Sequence, residues 1–570
     1  MNRILYISSA IVLLIPLLAG CSGEAEKEII TGKSILVQSA IVVSAHPQAS
    51  LAGAGILKKG GNAVDAAIAT EFALSVCYPA AGNIGGGGLM VVRLNDGQAA
   101  GLDYREKAPG KAHRDLFLDG EENVVPGLST RSHLASGVPG TVAGMAEAHT
   151  RYGSLSFEEL VQPAIDLAAD GFPVTAAQAE SLNRMNKTFT ERNRSAVAFV
   201  RRDGQWKEGD TLVQTDLAET LKLIRDNGAD GFYSGPVAGM IVNEMSIGGG
   251  IITLDDLSEY RAVWRDPVRG SYGEYGIISM APPSSGGIAL LQLFGMIEDF
   301  PVKEWGFHSV PSVHLMVEAE RRVYADRAEY LGDPDFVEIP VDILTSKDYL
   351  TGRMFLFDDE MATPSEAIDP GDLSPYESEE TTHYSVVDSH GNSVSATTTL
   401  NSSYGSGIVV SGAGFLLNNE MDDFSVKPGY PNIYGLVGGE ANSVAPGKRM
   451  LSSMTPTIVE KNSSLYMVVG SPGGSTIITS VFQTILNVTA FGMTIKEAVD
   501  APRFHHQWLP DEIAAEEDAF SPEVERRLEM MGHTIKRRSS IGRVEGIRVT
   551  EQGMLEGGAD KRGDDCAAGF

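Results

Sequence analysis

The sequence changes character at residue 381. Met361 to Glu380 carries Pro364, Pro370 and Pro375 among many acidic side chains, the composition of an exposed and mobile loop. Directly after it, Thr382 to Asp388 reads T-H-Y-S-V-V-D, Ser389-His390-Gly391-Asn392 is a turn, and Ser393 to Leu400 is again rich in Val and Thr. That pattern predicts a β-hairpin. Helical patterns dominate what precedes it: Val43 to Val76 with a break at Lys58-Lys59-Gly60-Gly61-Asn62, Phe157 to Ala169, and Ser309 to Tyr330. Strands are expected at Leu89 to Val92, Gly276 to Met280 and Ser464 to Val469, the last running through Gly470-Ser471-Pro472-Gly473-Gly474 into an amphipathic helix, Ser475 to Leu486. No repeat of 20 to 50 residues is present, which removes solenoids and propellers.

Composition narrows the function. Hydrophobic residues make up 43% and charged residues 21%, too apolar for disorder. The one long apolar run is N-terminal, so a multi-span membrane protein is excluded. The net charge of -30 repels phosphate backbones, so nucleic acid is not an expected partner. At about 150 residues per domain, length alone suggests three or four domains. Three cysteines, Cys21, Cys77 and Cys566, cannot build a disulfide framework. Cys77 is expected in the core and Cys566 at the surface, with pairing between them left open. No C-x-x-C or H-E-x-x-H pattern occurs, and His505-His506 is the one histidine pair, so no metal is expected. The run Gly85 to Gly88 sits between a helix and a strand, the reverse of a dinucleotide fingerprint.

The N-terminus is an address. Arg3, an apolar core from Ile4 to Leu18 and the following small residues form a secretory signal. Leu18-Ala19-Gly20-Cys21 resembles a bacterial lipobox. It predicts removal of residues 1–20, a lipidated Cys21, a tether over 21–35, and an exported protein at the periplasm or cell surface. A plain signal peptide with a chance Cys is the alternative.

Two features carry chemistry. Thr381 opens a strand after an acidic loop. A Thr hydroxyl becomes a useful nucleophile when its own free α-amine serves as base, and that amine titrates near about 8. It exists only if the chain is cut before Thr381. Taken alone, a T-T pair is ordinary β sequence. The second feature is Gly473-Gly474 at a strand-to-helix turn, where amides without side chains can face an oxyanion. Alone, it is equally a tight turn. Ser471 does not fit a nucleophile elbow, because Val469 stands where the first Gly belongs.

Together the motifs resemble the γ-glutamyltranspeptidases. Thr381 to Asp388 with Thr399-Leu400-Asn401 is similar to the start of that family's small subunit. Leu416 to Phe424, Pro446 to Met454 and Gly470 to Gly474 follow in order. Asp103 to Pro109, Ser284 to Gly287 and Ala501 to His506 match as well. The resemblance runs from about residue 36 to the C-terminus. It implies an N-terminal nucleophile hydrolase: a four-layer αββα sandwich cut between Glu380 and Thr381. A large subunit (36–380 beyond the tether) and a small one (381–570) then form a heterodimer. It implies a γ-glutamyl donor such as glutathione, with water, amino acids or peptides as acceptors, and no cofactor.

By resemblance, Thr381 is the nucleophile and Thr399 orients it. Gly473 and Gly474 form the oxyanion hole. Arg105, Ser452 and Ser453 hold the α-carboxylate, while Asn401, Glu420 and Asp423 hold the α-ammonium. Taken singly, Arg105 reads as a surface ion pair with Asp103 or Glu106, and Asp423 as an exposed turn acid. Position 420 is Glu where Gln is common in bacterial members. Pro431 to Lys448, with Tyr434, resembles the family's lid loop, which argues against the lidless acylase and capsule-processing relatives. Met450 stands where Pro is frequent, which predicts a looser lid end. Thr141, Asp326 and Glu329 are taken as structural. Two other readings stay open: an amidase for glutaryl-type acyl groups, and a non-catalytic solute-binding lipoprotein using Arg105 and Asp423.

Overall fold

The computed structural model describes residues 28–368 and 381–570. The signal segment, Cys21 and Glu380 lie outside the described residues.

Two antiparallel sheets form the middle of the molecule. In the first, the strand order is Ile30–Gly32, Cys566–Gly569, Ile41–Ser44, Thr382–Val387, Ser393–Thr399, Gly87–Arg93, Ala99–Asp103, Val263–Arg265. In the second it is Ser34–Val37, Leu555–Ala559, Glu545–Val549, Ser464–Gly470, Thr457–Lys461, Tyr275–Ser279, Val268–Tyr272. The predicted hairpin is central in the first sheet and buried on both faces. Its alternation sorts the side chains. Tyr384, Val386, Val394 and Ala396 pack with the helices Pro47–Lys58, Ala63–Cys77 and Phe157–Asp170. Val387, with Ile41, Val43, Leu89 and Val91, belongs to the other core, shared with the second sheet and the helices Gly286–Ile297, Val310–Tyr330 and Ile477–Thr489. The layers are therefore helix, sheet, sheet, helix, as expected. Each sheet takes strands from both sides of residue 380. The suggestion of three or four domains gives way to one interlocked unit.

The Gly85–Gly88 run has a steric cause. A Cβ on Gly86 would stand 2.1 Å from the Thr399 carbonyl oxygen. Only glycine allows the chain to pass so close to the strand that carries Thr399.

Four expectations are corrected. Val43 lies in the strand Ile41–Ser44, and helix begins at Pro47. The helix after Gly474 starts with one tight turn, and Ile477–Val488 is buried on every side. Cys566 is buried, and both it and Cys77 are free. The described part of the acidic loop is not all exposed: Ser365 is fully buried, where its hydroxyl accepts from Arg321 and its carbonyl from the Trp508 indole.

Candidate functional site

The register of the central hairpin positions the nucleophile candidate. Thr382 pairs with Thr398 and His383 with Thr397. One step further outward sets Thr381 opposite Thr399. Thr381 is buried and lines one cavity with Arg105, Thr399, Asn401, Asp423, Tyr434, Ser452, Ser453 and Gly474. The Thr399 hydroxyl accepts the Asn401 N–H at 2.7 Å. Behind it, Asn83 donates through Nδ2 to the Thr399 carbonyl at 2.8 Å. The Asn83 Oδ1 accepts from Gly86 N–H and the Thr141 hydroxyl, both at 2.8 Å. Asn401 sits at φ 74°, a left-handed conformation that Asn tolerates better than most residues.

Arg105 is no surface residue; it is 1% exposed. Its Nη1 donates to Glu420 Oε2 at 2.6 Å and its Nη2 to Asp423. Nε and Nη2 also reach the Met450 and Leu451 carbonyls, both at 3.4 Å. Asp103 instead fixes the backbone: it accepts the Arg105 N–H at 3.0 Å and pairs with Arg265 and Arg449 at 2.8 and 3.2 Å. Three acids crowd this guanidinium. Burial first, and the Glu420 charge second, hold Glu106 well above the usual carboxylate range. Glu420 is pushed up to about 7 by burial, with Arg105 opposing. Burial also raises Asp423, again opposed by Arg105. Glu420 and Asp423 are the two acids that Arg105 holds directly, and Glu106 stands further off at 3.5 Å.

Ser452 and Ser453 are prepared to donate. Ser452 Oγ accepts the Met454 N–H at 3.1 Å, and Ser453 Oγ accepts Arg327 Nη2 at 3.2 Å. Neither donor group can accept, so each hydroxyl keeps its own proton for an anion. Ser285 braces the segment, donating from N–H and hydroxyl to the Ser452 carbonyl at 2.8 and 2.7 Å.

Gly473 and Gly474 hold φ of 136° and 53°. A Cβ on Gly474 would come within 2.6 Å of the Tyr434 ring. Tyr434 donates its hydroxyl to the Asn401 carbonyl. Its loop is pinned beside it: Asn432 Nδ2 donates to Asp423 Oδ1 at 3.1 Å, and Ile433 N–H to Asp422 Oδ2 at 2.8 Å. Met450 does not loosen the lid end; it is fully buried in a small cluster with Ala108, Phe117, Met421 and Phe424. The cavity is about 20 Å³, with Tyr434 on its wall, room for about one water. Ser471 is occupied by backbone, donating to the Pro472 carbonyl at 2.6 Å.

Among the described residues one group could hold a metal, the buried His314, Glu318 and His533. Glu318 already carries Arg321, Arg322 and the Thr363 N–H. Both His314 nitrogens are bonded, to His533 and to the Asp358 carbonyl, each at 2.7 Å. Most of the trio's ligand atoms are thus already bonded, and only His533 Nδ1 is buried without a partner.

Thr381, Arg105 with two serines, and Asp423 thus line one pocket, with Glu420 bonded to Arg105 behind it. A model of the γ-glutamyltranspeptidase family matches residues 49–570. The chain belongs to that family. It is 48% identical over 538 residues to the glutathione hydrolase proenzyme of Escherichia coli strain K12, covering 94% of this chain and 93% of that one. It is also similar to the solved γ-glutamyltranspeptidase of Helicobacter pylori, with 47% identity and a TM-score of 0.57 over 57% of this chain and 94% of that one. The cephalosporin acylase of Bacillus halodurans shares the fold more fully, with a TM-score of 0.83 at 25% identity over 97% of this chain and 99% of that one.

Around the γ-glutamyltranspeptidase pocket stand residues that the sequence motifs did not single out. Asn83 lies in a loop with no chemical signature, and Asn432 lies in the segment Pro431 to Lys448, where only Tyr434 drew attention. Arg327 lies on Val310–Tyr330 among Glu318, Glu320, Arg321 and Arg322, and nothing in that run of charges singles it out. Thr141 and Asp326 are structural as expected: Asp326 holds Gln292 and Arg353 at 2.9 and 3.0 Å.

Proposed function

We propose that this γ-glutamyltranspeptidase is a self-processing γ-glutamyltransferase and glutathione hydrolase with Thr381 as nucleophile. In the precursor, the Thr381 hydroxyl attacks the Glu380 carbonyl and displaces its own nitrogen, giving an ester. Water cleaves that ester, and Thr381 is left with a free amine. The amine then accepts the hydroxyl proton as Thr381 attacks the γ-carbonyl of the donor. The Gly473 and Gly474 amides receive the oxyanion. Collapse of the tetrahedral adduct breaks the amide bond, and the ammonium returns its proton to the leaving amine. Water or an acceptor amine then resolves the acyl-enzyme by the same steps.

The observation that carries this reading is the division of charge around the cavity. Arg105, Ser452 and Ser453 suit the α-carboxylate, while Glu420, Asp423 and Asn401 suit the α-ammonium. A glutaryl-type donor has no ammonium and gives Glu420 and Asp423 nothing to hold, so the γ-glutamyl group is favoured. N-terminal sequencing of the purified protein tests the cut. Thr381→Ala is expected to stay one chain and release no amine from a γ-glutamyl anilide. Normal turnover in that variant would sink the mechanism, and an uncut wild-type chain would favour a binding protein.

We propose further that Cys21 is lipidated and tethers the exported enzyme to a membrane. Among the described residues no helix is long and apolar enough to cross one. Metabolic labelling with palmitate is expected to mark the wild type and not Cys21→Ser; labelling of neither would leave a plain signal peptide.

A further inference from the structure

Arg327 is buried, 6% exposed, and lines the cavity that contains Thr381. Its Nε donates to Ser285 Oγ at 3.0 Å and its Nη2 to Ser453 Oγ at 3.2 Å. Among the described residues no carboxylate forms an ion pair with it, and Asp423 acts on it only through space. A buried cation without a paired anion is costly. It is tolerable where an anionic ligand arrives.

The charges around the pocket show what such a ligand meets. Arg105 is already engaged by both Glu420 and Asp423. Two buried carboxyl groups thus oppose its single positive charge, and little of that charge is left for an incoming carboxylate. Arg327 adds a second buried cation at the same cavity, so a zwitterion meets both signs there. It also occupies a lone pair of Ser453, turning that hydroxyl into a donor.

We propose that Arg327 admits the donor's α-carboxylate, by presenting Ser453 as a hydrogen-bond donor and by supplying the positive charge that Arg105 spends on Glu420 and Asp423. Arg327 is a positioning residue on this account, and the account rests on the γ-glutamyl reading of the donor.

The test uses Arg327→Gln and Arg327→Lys in the full-length protein, with cleavage checked first on a denaturing gel. Three compounds are compared as substrates or competitive inhibitors: a γ-glutamyl anilide, the glutaryl anilide that lacks the ammonium, and the 4-aminobutyryl anilide that lacks the carboxylate. Arg327→Gln is expected to raise KM or Ki by about tenfold or more for the two carboxylate-bearing compounds. It should leave kcat within about threefold and the 4-aminobutyryl compound within about twofold. Arg327→Lys should recover part of the loss, and in a Ser453→Ala background the Arg327→Gln effect should shrink. Equal losses on all three compounds, an unchanged KM, or misfolding of both variants would overturn the proposal. Failure of the cleaved wild type itself on the γ-glutamyl anilide would instead refute the donor class, and the proposal would fall with it.

Discussion

Arg105→Lys is the most informative single change in the donor pocket. The guanidinium fork spans two carboxylates, Glu420 at 2.6 Å and Asp423, while its carbonyl contacts at 3.4 Å are too long to count for much. A lysine ammonium is a point charge and cannot hold both acids and the substrate carboxylate in one plane. The variant keeps the charge and loses about one charge-assisted hydrogen bond to the donor, worth about 1.5–3 kcal/mol. At about 1.4 kcal/mol per tenfold change, KM for a γ-glutamyl anilide should rise roughly 10- to 150-fold. Burial leaves little salt screening to soften the effect. The nucleophile and oxyanion amides are untouched, so kcat should stay within a few-fold. Cleavage before Thr381 uses no substrate carboxylate and should proceed. Steady-state kinetics and a denaturing gel measure all three. A KM within twofold of wild type would remove Arg105 from the carboxylate site. An uncut chain would make it a scaffold residue.

Glu420, held up to about 7 by burial, must be ionised to take the ammonium, so KM for the γ-glutamyl donor should rise as pH falls through neutrality. Glu420→Gln should flatten that limb while leaving the kcat limb of the Thr381 amine; a sloped KM profile in the variant would assign the titration elsewhere. Gly474→Ala would force a side chain at φ 53° against the Tyr434 ring, and kcat should fall at least about tenfold, whereas wild-type turnover would remove the Gly474 amide from the oxyanion site. Glu71, fully buried, is pushed up to about 8 from 4.5 by burial. Between those values the folded protein holds a proton that the unfolded chain has shed, so stability is full below the lower value and declines up to the higher one. Glu71→Gln should remove that decline, on the order of 5 kcal/mol, in Tm measured against pH; an unchanged slope would refute the assignment.

The central hairpin was legible almost residue by residue, because β-branched alternation and a tight turn have few other solutions. The strand Ile41–Ser44 was not, since three apolar residues and a serine leading into a helix give no period of their own. The site residues were legible only jointly. Arg105, Glu420, Asp423 and Ser453 each have an ordinary surface reading, and pairing far along the chain makes them neighbours. Arg327 stayed hidden for a different reason. Charges at Glu318, Glu320, Arg321, Arg322 and Asp326 read as a solvated helix face, yet all are buried. Segments from elsewhere cover them: Arg321 meets Asp511, Arg322 donates to the Arg353 carbonyl, and the Glu320 carboxylate accepts the His506 N–H.

On the proposed mechanism, the placement of Thr381 lets one strand be both cleavage site and active site. The strand Thr382–Val387 pairs with Ser393–Thr399 from Thr382 onward and with Ile41–Ser44 from Tyr384 onward, so ladders hold it independently of the peptide bond that precedes it. Cutting that bond frees an amine without releasing the strand. An edge strand would fray at a new terminus; a central one keeps its register, and with it the distance from Thr381 to Thr399. The proposed carboxylate site follows the same logic, since Arg105 and Arg327 precede residue 381 and Ser452 and Ser453 follow it. The pocket is therefore complete only while both pieces stay interleaved, and the two sheets, each built from both sides of the cut, keep them so.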